Sequence, residues 1–524
     1  MSNPNAPFHP IIYVRGFAAT QGAIEETVAD PYMGFNIGST KARMAWTGEM
    51  QKFFFESPLV RLMSDHKYND VFEDGEDLVA SDRPDCLIPY KSIVIYRYYD
   101  EASKAFGTDE TPPIEHFAKG LDKLILRLRD KICATPENNV SPEDFRVYLV
   151  AHSMGGLVCR AFLQNTKLGS KEARRMVDKF FTYATPHNGI DMRIVRNVPA
   201  WLSFGDASNF NRKRMAEYLD LPKTDDVSVV NNFPPERIFN LVGTNPRDYT
   251  EILGLSAWAA GEASDGLVRI ENATTHGPTP EGRAVTSPRA FVHRSHSGHY
   301  GIVNSEEGYQ NLTRFLFGTL RVDGIFDIDD ITLPLEVQKE FEAGKKVRAA
   351  YQFEVVASVR GCQWHMSRRE VRENSAIFRS YNDLFPGKDK TIRPPDRTKS
   401  PHLFSVFLDP TQSVMKSGSV SFSFDLKVLV PDYEINGRLF MARHFEGGYI
   451  LRKLILVEAI PDATANIGWR IKYGYQENNP GKPGVDVATR PLGNSGGIAF
   501  NIPIEQKTRP GVSGTLRIEA SPWK

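Results

Sequence analysis

A mostly parallel α/β sheet with helices on both faces, followed by an all-β sandwich, is the fold the sequence predicts, and two contrasting textures of the chain predict it. Through about residue 320, short apolar runs alternate with segments of helical periodicity, the pattern of strands wound with crossover helices. Beyond that point helical stretches become scarce, and alternating strand patterns separated by Gly, Pro and Asn turns dominate, as in a β-sandwich. At 524 residues the chain exceeds one ordinary core and suits about two or three compact units. The expected division is 1–320 and 321–524.

The elements of the first part follow in order. Ile11 to Val14 is an apolar run ending near Gly16, and Ile93 to Tyr98 is a second, rich in β-branched and aromatic residues. Both read as buried strands. Ile114, Phe117, Leu121, Leu124, Ile125 and Leu128 fall on one helical face with Pro113 at its start. Arg146 to Val150 is a strand that runs into the turn AHSMGG. Further strands are expected at Lys179 to Tyr183, Ile238 to Val242 and Ala290 to Val292, and a helix at Glu306 to Phe317 closes the unit. Two inserts, Thr20 to Pro89 and Ile190 to Pro235, interrupt the alternation. In the second part the expected strands include Tyr351 to Val359, Val420 to Val430, Tyr449 to Glu458 and Gly468 to Tyr475.

Composition narrows the function classes. Lysine plus arginine equals aspartate plus glutamate at 64 each, so no overall field draws the molecule to nucleic acid or anionic lipid. Hydrophobic residues at 41% and charged residues at 24% argue against a fibrous or disordered chain. Cys86, Cys133, Cys159 and Cys362 contain no CxxC pair and read as reduced thiols, not as a zinc site or disulfide framework. No apolar run approaches the ~20 residues that span a bilayer, so membrane contact is expected to be peripheral. The N-terminus lacks a basic region followed by an apolar stretch and a small-residue cleavage site. Without a Sec-type signal the default expectation is cytoplasmic, with export by a machine that reads folded cargo as the alternative.

The chemistry centres on VYLVAHSMGGLVCRAF, where an apolar strand meets a sharp corner at Ser153 and a helix begins directly behind it. That is the layout of a nucleophile elbow, and it needs small residues at Ala151 and Gly155 because the corner brings neighbouring backbone close. A serine hydroxyl becomes nucleophilic when an imidazole takes its proton. The segment HRSHSGHYGIVNS offers His293, His296 and His299. His299, directly before GIVNS and the closing helix, is the expected base; His296 is the fallback, and His293, at a strand end, suits a packed or surface role. The intervening glycine and serines argue against one helical face presenting all three to a metal. The orienting acid is expected at Asp265, beside a glycine suited to a tight turn, with Asp248 as runner-up. Two main-chain donors should await the developing oxyanion: the N–H of Met154 at the start of the elbow helix, and that of Phe17 in the turn after the first strand.

Taken together, IIYVRGF, VAHSMGGL, YATPHNGI, SDGLV and HYGIVNS resemble, in order and spacing, the signatures of α/β-hydrolase lipases and esterases. The resemblance spans about Pro10 to Phe317. It implies carboxylic ester hydrolysis through an acyl-enzyme with no cofactor. Two departures stand out. Ala151 replaces the usual first glycine of the elbow, a form that some bacterial lipases share, and Arg15 stands where many lipases have a histidine. Thr185, Pro186 and His187 match a strand end that is structural in such enzymes, and His152 reads as packing or pocket lining.

The inserts bear on the substrate. The first carries Met44, Trp46, Met50, Phe53, Phe54 and Phe55 in a stretch that stops at Pro58, and the second carries Val198, Trp201, Leu202 and Phe204. Emerging at the carboxyl edge of the sheet beside the serine, these side chains would form an acyl-binding wall or a lid, with Phe53, Phe54, Trp201 and Leu202 as the candidate contacts. Ordinary cap segments burying their own core are the alternative. A lipid or acyl ester is the favoured substrate. A non-catalytic module binding an acyl ligand or a partner remains the contrasting reading, and the same triad also serves amidases, thioesterases and acyltransferases.

Overall fold

The computed structural model describes residues 7–16, 21–36, 39–44, 50–55, 57–73, 76–81, 86–104, 112–190, 210–222, 225–246, 264–279, 282–297, 301–345, 347–362, 364–386, 394–410, 413, 415, 417–436, 442–464, 468–476, 484–493 and 496–524. Two compact units emerge: Met1–Arg289 with His293–Phe317, and Gly318–Lys524 with Ala290–Val292.

A seven-stranded sheet organises the first unit, and all of its strands but the last in sequence lie wholly in that unit. Its strands are β1 (Ile11–Val14), β2 (Asn69–Asp70), β3 (Ser92–Ile95), β4 (Val147–His152), β5 (Val177–Tyr183), β6 (Ile238–Gly243) and β7 (Arg289–Val292). In space they lie in the order β7-β6-β5-β4-β1-β3-β2, and the neighbouring pairs from β6 to β2 run parallel. Parallel strands covered on both faces read as continuous apolar runs, and β1 is buried at every position.

The covering helices follow their apolar periodicity. Helix α1 (Pro58–His66) begins at a proline whose fixed φ suits the first turn, with Ser57 Oγ accepting from Val60 N–H at 3.2 Å. The expected stop at Pro58 is thus corrected to a helix start. Helix α2 (Ile114–Ala134) buries Ile114, Phe117, Ala118, Leu121, Ile125, Leu128 and Ile132, one stripe at 3.6-residue period. Helix α3 (Met154–Gln164) is buried on all sides, and α4 (Glu306–Phe317) closes the unit over the bounds its periodicity predicts.

The second unit contains two antiparallel sheets. Their strands are β8 (Leu320–Thr332), β9 (Val347–Val359), β10 (Ser367–Arg369), β11 (Ile377–Ser380), β12 (His402–Leu408), β13 (Val420–Asn436), β14 (Ala442–Pro461), β15 (Trp469–Tyr475), β16 (Val485–Asp486), β17 (Thr489–Leu492), β18 (Gly497–Glu505) and β19 (Gly511–Pro522). The five-stranded sheet has the order β12-β8-β19-β18-β17; the other has the order β10-β9-β13-β14-β15-β16, with β11 also paired to β9. One apolar core draws side chains from both sheets, Phe326, Leu516 and Ile518 from the first and Phe353, Phe424 and Leu426 from the second. That is a sandwich. The strands named from sequence lie in this second sheet, and three of them extend further than their patterns suggest: β9 begins at Val347, β13 continues to Asn436 and β14 begins at Ala442, while β15 keeps nearly its expected bounds.

Candidate active site

Parallel strands bring their carboxyl ends to one edge, and the loops there carry the reactive groups. Ser153 follows β4 directly. Its backbone takes φ +52° and ψ −125°, a conformation unfavourable for a residue with a side chain. Neighbouring main chain holds it there: Ser153 N–H donates to the Tyr183 carbonyl at 2.9 Å, and its own carbonyl accepts from Gly156 N–H at 3.0 Å. The corner also demands bare backbone beside it. A Cβ on Gly155 would lie 2.3 Å from the Val14 carbonyl oxygen and 2.4 Å from that of Arg15.

Two further side chains meet the hydroxyl. His296 Nε2 is 2.9 Å from Ser153 Oγ, and His296 Nδ1 is 3.0 Å from Asp265 Oδ2. All three residues are buried, at 4%, 3% and 1% exposure for Ser153, His296 and Asp265, so the chain of bonds is shielded from water. Among the described residues His296 is therefore the imidazole on the serine. His299, the first choice from sequence, lies outside the described residues, as does Asp248. His293 is exposed, with Nδ1 3.4 Å from Thr244 Oγ1.

Asp265 is fixed by its own turn. Its Oδ1 accepts from Val268 N–H at 2.7 Å and Leu267 N–H at 3.1 Å, while Gly266 at φ +99° makes the tight reversal. The remaining carboxylate oxygen is left to face the imidazole. Gly243, ending β6, gives this turn room, because a Cβ there would lie 2.8 Å from Asp265 Cβ and 2.7 Å from the Arg294 carbonyl oxygen.

Long-range bonds position the histidine loop. His296 N–H donates to the Asp265 carbonyl at 3.0 Å, and Ile302 N–H to the Ser295 carbonyl at 3.0 Å. Buried Arg294 pairs with Glu307 in α4 at 2.8 Å. His152 Nε2 lies 3.0 Å from the His296 carbonyl oxygen, so that nitrogen must be the protonated donor. Burial, reinforced by the adjacent His296, holds the His152 pKa well below the ordinary value and keeps its ring neutral.

The oxyanion side is partly described. Met154 opens α3, where the first N–H groups of a helix have no partner within it and the helix dipole favours negative charge. Gly16 runs against the serine so closely that a Cβ there would lie 2.7 Å from Ser153 Cβ. Phe17 lies outside the described residues. The loop before it is braced by Tyr98, whose hydroxyl donates to the Arg15 carbonyl at 2.6 Å, and by Arg15, whose side chain donates to the Met33 carbonyl. Arg15 thus makes a bond to the first insert from the place where lipases resembling this sequence have a histidine.

The remaining sequence candidates divide plainly. Phe53 and Phe54 lie in a strand, Met50–Phe55, paired antiparallel with Ser39–Met44; Trp201 and Leu202 lie outside the described residues. His187 is fully buried with Nε2 3.2 Å from Thr182 Oγ1. Sequence reading missed Arg160, on the hidden face of α3, which donates to the carbonyls of His187, Val227 and Val229 at 2.9, 2.9 and 3.0 Å. Burial lowers its pKa to about 10, and by tying α3 to the end of the second insert it fixes the elbow from behind. Only its place in an otherwise apolar helix hinted at it.

Strand order, elbow, and the chain order Ser, Asp, His make the first unit an α/β-hydrolase-type fold. Residues 116–227, which include most of α2, β4, the elbow and β5, match the family model described as a PGAP1-like alpha/beta domain. Among solved structures, Bacillus licheniformis lipase BlEst2 in its mature form is similar, at 14% identity and a TM-score of 0.29, over 60% of this chain and 92% of that one. Phospholipase PlaB from Legionella pneumophila is similar at 13% identity and a TM-score of 0.31, over 80% of this chain and 86% of its own. No curated protein matches the chain.

Proposed function

We propose that this chain is a serine carboxylic-ester hydrolase acting on lipid-like acyl esters, with Ser153 as nucleophile, His296 as general base and Asp265 as the orienting carboxylate. The observation that carries the reading is the continuous pair of bonds from Ser153 Oγ to His296 Nε2 at 2.9 Å and from His296 Nδ1 to Asp265 Oδ2 at 3.0 Å. As Oγ attacks the ester carbonyl, its proton passes to His296 Nε2 and the imidazolium is stabilised by Asp265. The carbonyl oxygen becomes negative against the N–H of Met154 and, in our assignment, that of Phe17. His296 then protonates the leaving alcohol. Water, deprotonated by the same ring, releases the acyl group from Ser153.

The apolar residues of the two inserts favour an acyl chain over a polar substrate. Contact with a lipid interface would be peripheral: among the described residues no helix is long and apolar enough to cross a membrane. A fluorophosphonate probe tests the chemistry, because it should label the parent protein and not Ser153→Ala; equal labelling of both would remove Ser153 from the mechanism. Hydrolysis of short and long acyl esters, below and above their aggregation concentrations, tests the substrate class. No gain with chain length or interface would leave an esterase and withdraw the lipid part.

A further inference from the structure

A volume of about 360 Å³ lies unfilled between the two sheets of the C-terminal sandwich. Protein interiors are packed like organic crystals, with few voids larger than a water molecule, so a space of this size within a sandwich requires an explanation. Its walls are apolar. From the five-stranded sheet come Leu408, Leu320, Val322, Ala520 and Phe500; from the other, Val420, Phe422, Val457, Ala459 and Trp469. No charged side chain lines it among the described residues. Val322, Leu408, Val457, Phe500 and Ile518 are buried, while Gly496 and Pro522, which also line the space, are exposed and mark where it opens to solvent.

Register gives the shape. On one wall the lining steps across β12, β8, β19 and β18, with Leu320 opposite Leu408 and Pro522, and Ala520 opposite Val322 and Ile498. On the other it steps across β13, β14 and β15, with Ala459 opposite Val420 and Ile471. Four strands spaced ~4.8 Å apart span about 14 Å, whereas the lining extends about 7–14 Å along each strand, one or two side-chain repeats of roughly 7 Å. The space is a slot between sheets stacked roughly 10 Å apart. A dry apolar cavity of even ~150 Å³ takes up an apolar guest.

We propose that this slot is a binding site for a linear hydrocarbon chain, the acyl tail of a fatty acid or lipid, separate from the Ser153 site. At roughly 30 Å³ per methylene, close to the volume share of a water molecule, the slot holds about a dozen carbons. Absence of charge in its lining fits the tail and leaves the head group outside. The slot lies wholly within the second unit and does not depend on the chemistry of Ser153.

The test uses the full-length Ser153→Ala protein, so turnover plays no part. Monomeric dodecanoate below its aggregation concentration should bind one to one by calorimetry, and affinity across the C6 to C12 acids should rise about fourfold per methylene before levelling near a dozen carbons. A mid-chain brominated acid should quench tryptophan fluorescence, and Trp469→Phe should remove that quenching. Ala459→Phe, which fills the slot from one wall, should abolish binding while keeping or raising the melting temperature; Ala520→Leu provides the same test from the other wall if the first variant misfolds. A second arm presents phosphatidylcholine vesicles carrying brominated chains. Quenching there identifies bilayer lipid as the source, and quenching by the free acid alone identifies fatty acid. Neither acid nor vesicle quenching Trp469, or binding that persists in both filled variants, would overturn the proposal.

Discussion

The Nε2–H of His152 donates to the main-chain carbonyl of His296 at 3.0 Å, and the two rings stand 4.9 Å apart. The residue before Ser153 thus holds the loop that carries His296. His152→Ala should reduce kcat about tenfold, the equivalent of one buried hydrogen bond at roughly 1–1.5 kcal/mol, with little change in KM. A matching rise in KM with kcat intact would instead assign His152 to substrate binding.

Comparing two histidine variants decides the base. His296→Ala should lower kcat by about 10³- to 10⁴-fold, whereas His299→Ala should change it less than tenfold. Steady-state hydrolysis of a soluble short-chain ester provides the measurement, and the reverse ranking would restore His299.

Replacing Asp265 by Asn tests orientation separately from charge. Its Oδ1 accepts from Leu267 and Val268 N–H groups, so the Asn amide oxygen is drawn to that side and its NH2 is turned toward His296 Nδ1. The imidazole then presents the wrong tautomer to Ser153. The expected loss is about 10³- to 10⁴-fold in kcat, with fluorophosphonate labelling slowed to a similar degree.

Gly155→Ala probes the corner. Its Cβ would meet the carbonyl oxygens of Val14 and Arg15 at 2.3 and 2.4 Å, atoms of the central strand and its continuation that have little freedom to move. A destabilisation of about 3 kcal/mol or more is expected, beyond that of ordinary overpacking, together with loss of activity. Chemical denaturation measures the first and ester turnover the second.

Acid should weaken the fold before the carboxylates titrate. His9 is buried with its pKa lowered to about 4, and His152 and His187 shift in the same direction, chiefly through burial. An unfolded histidine takes up its proton below about 6.5, while these folded ones resist, so stability is complete above pH 6.5 and falls as the pH drops toward the folded values. From pH 6.5 to 5, His9 alone removes about 2 kcal/mol at roughly 1.4 kcal/mol per pH unit. Melting temperatures at pH 7.5 and 5.0 check this, and His9→Gln should flatten the difference.

Much of the scaffold was legible because it is local. The α2 stripe from Ile114 to Ile132, the α4 bounds and the strand-corner-helix around Ser153 depend on residues a few positions apart, and their periodicity carries the information. The same local reading fails at Pro58: a proline there suggests a stop, but Ser57 before it supplies a helix cap. In the five-stranded sheet β8 pairs with β19 about 200 residues further along the chain and with β12 about 80 further, and such pairings leave little trace in any one stretch.

By itself the sequence singled out Ser153, on a corner that only small neighbours permit, and Asp265, in a turn written by the adjacent glycine, as the candidates for nucleophile and acid. Which imidazole among the described residues meets the Ser153 hydroxyl was decided by tertiary structure alone. Three histidines lie within seven residues, and His296 is brought to the site by Arg294 on Glu307, by its own N–H on the Asp265 carbonyl, and by His152 on its carbonyl. The path of a loop is set by distant partners, and a shift of one bond would carry a ring several ångströms from the hydroxyl it must reach.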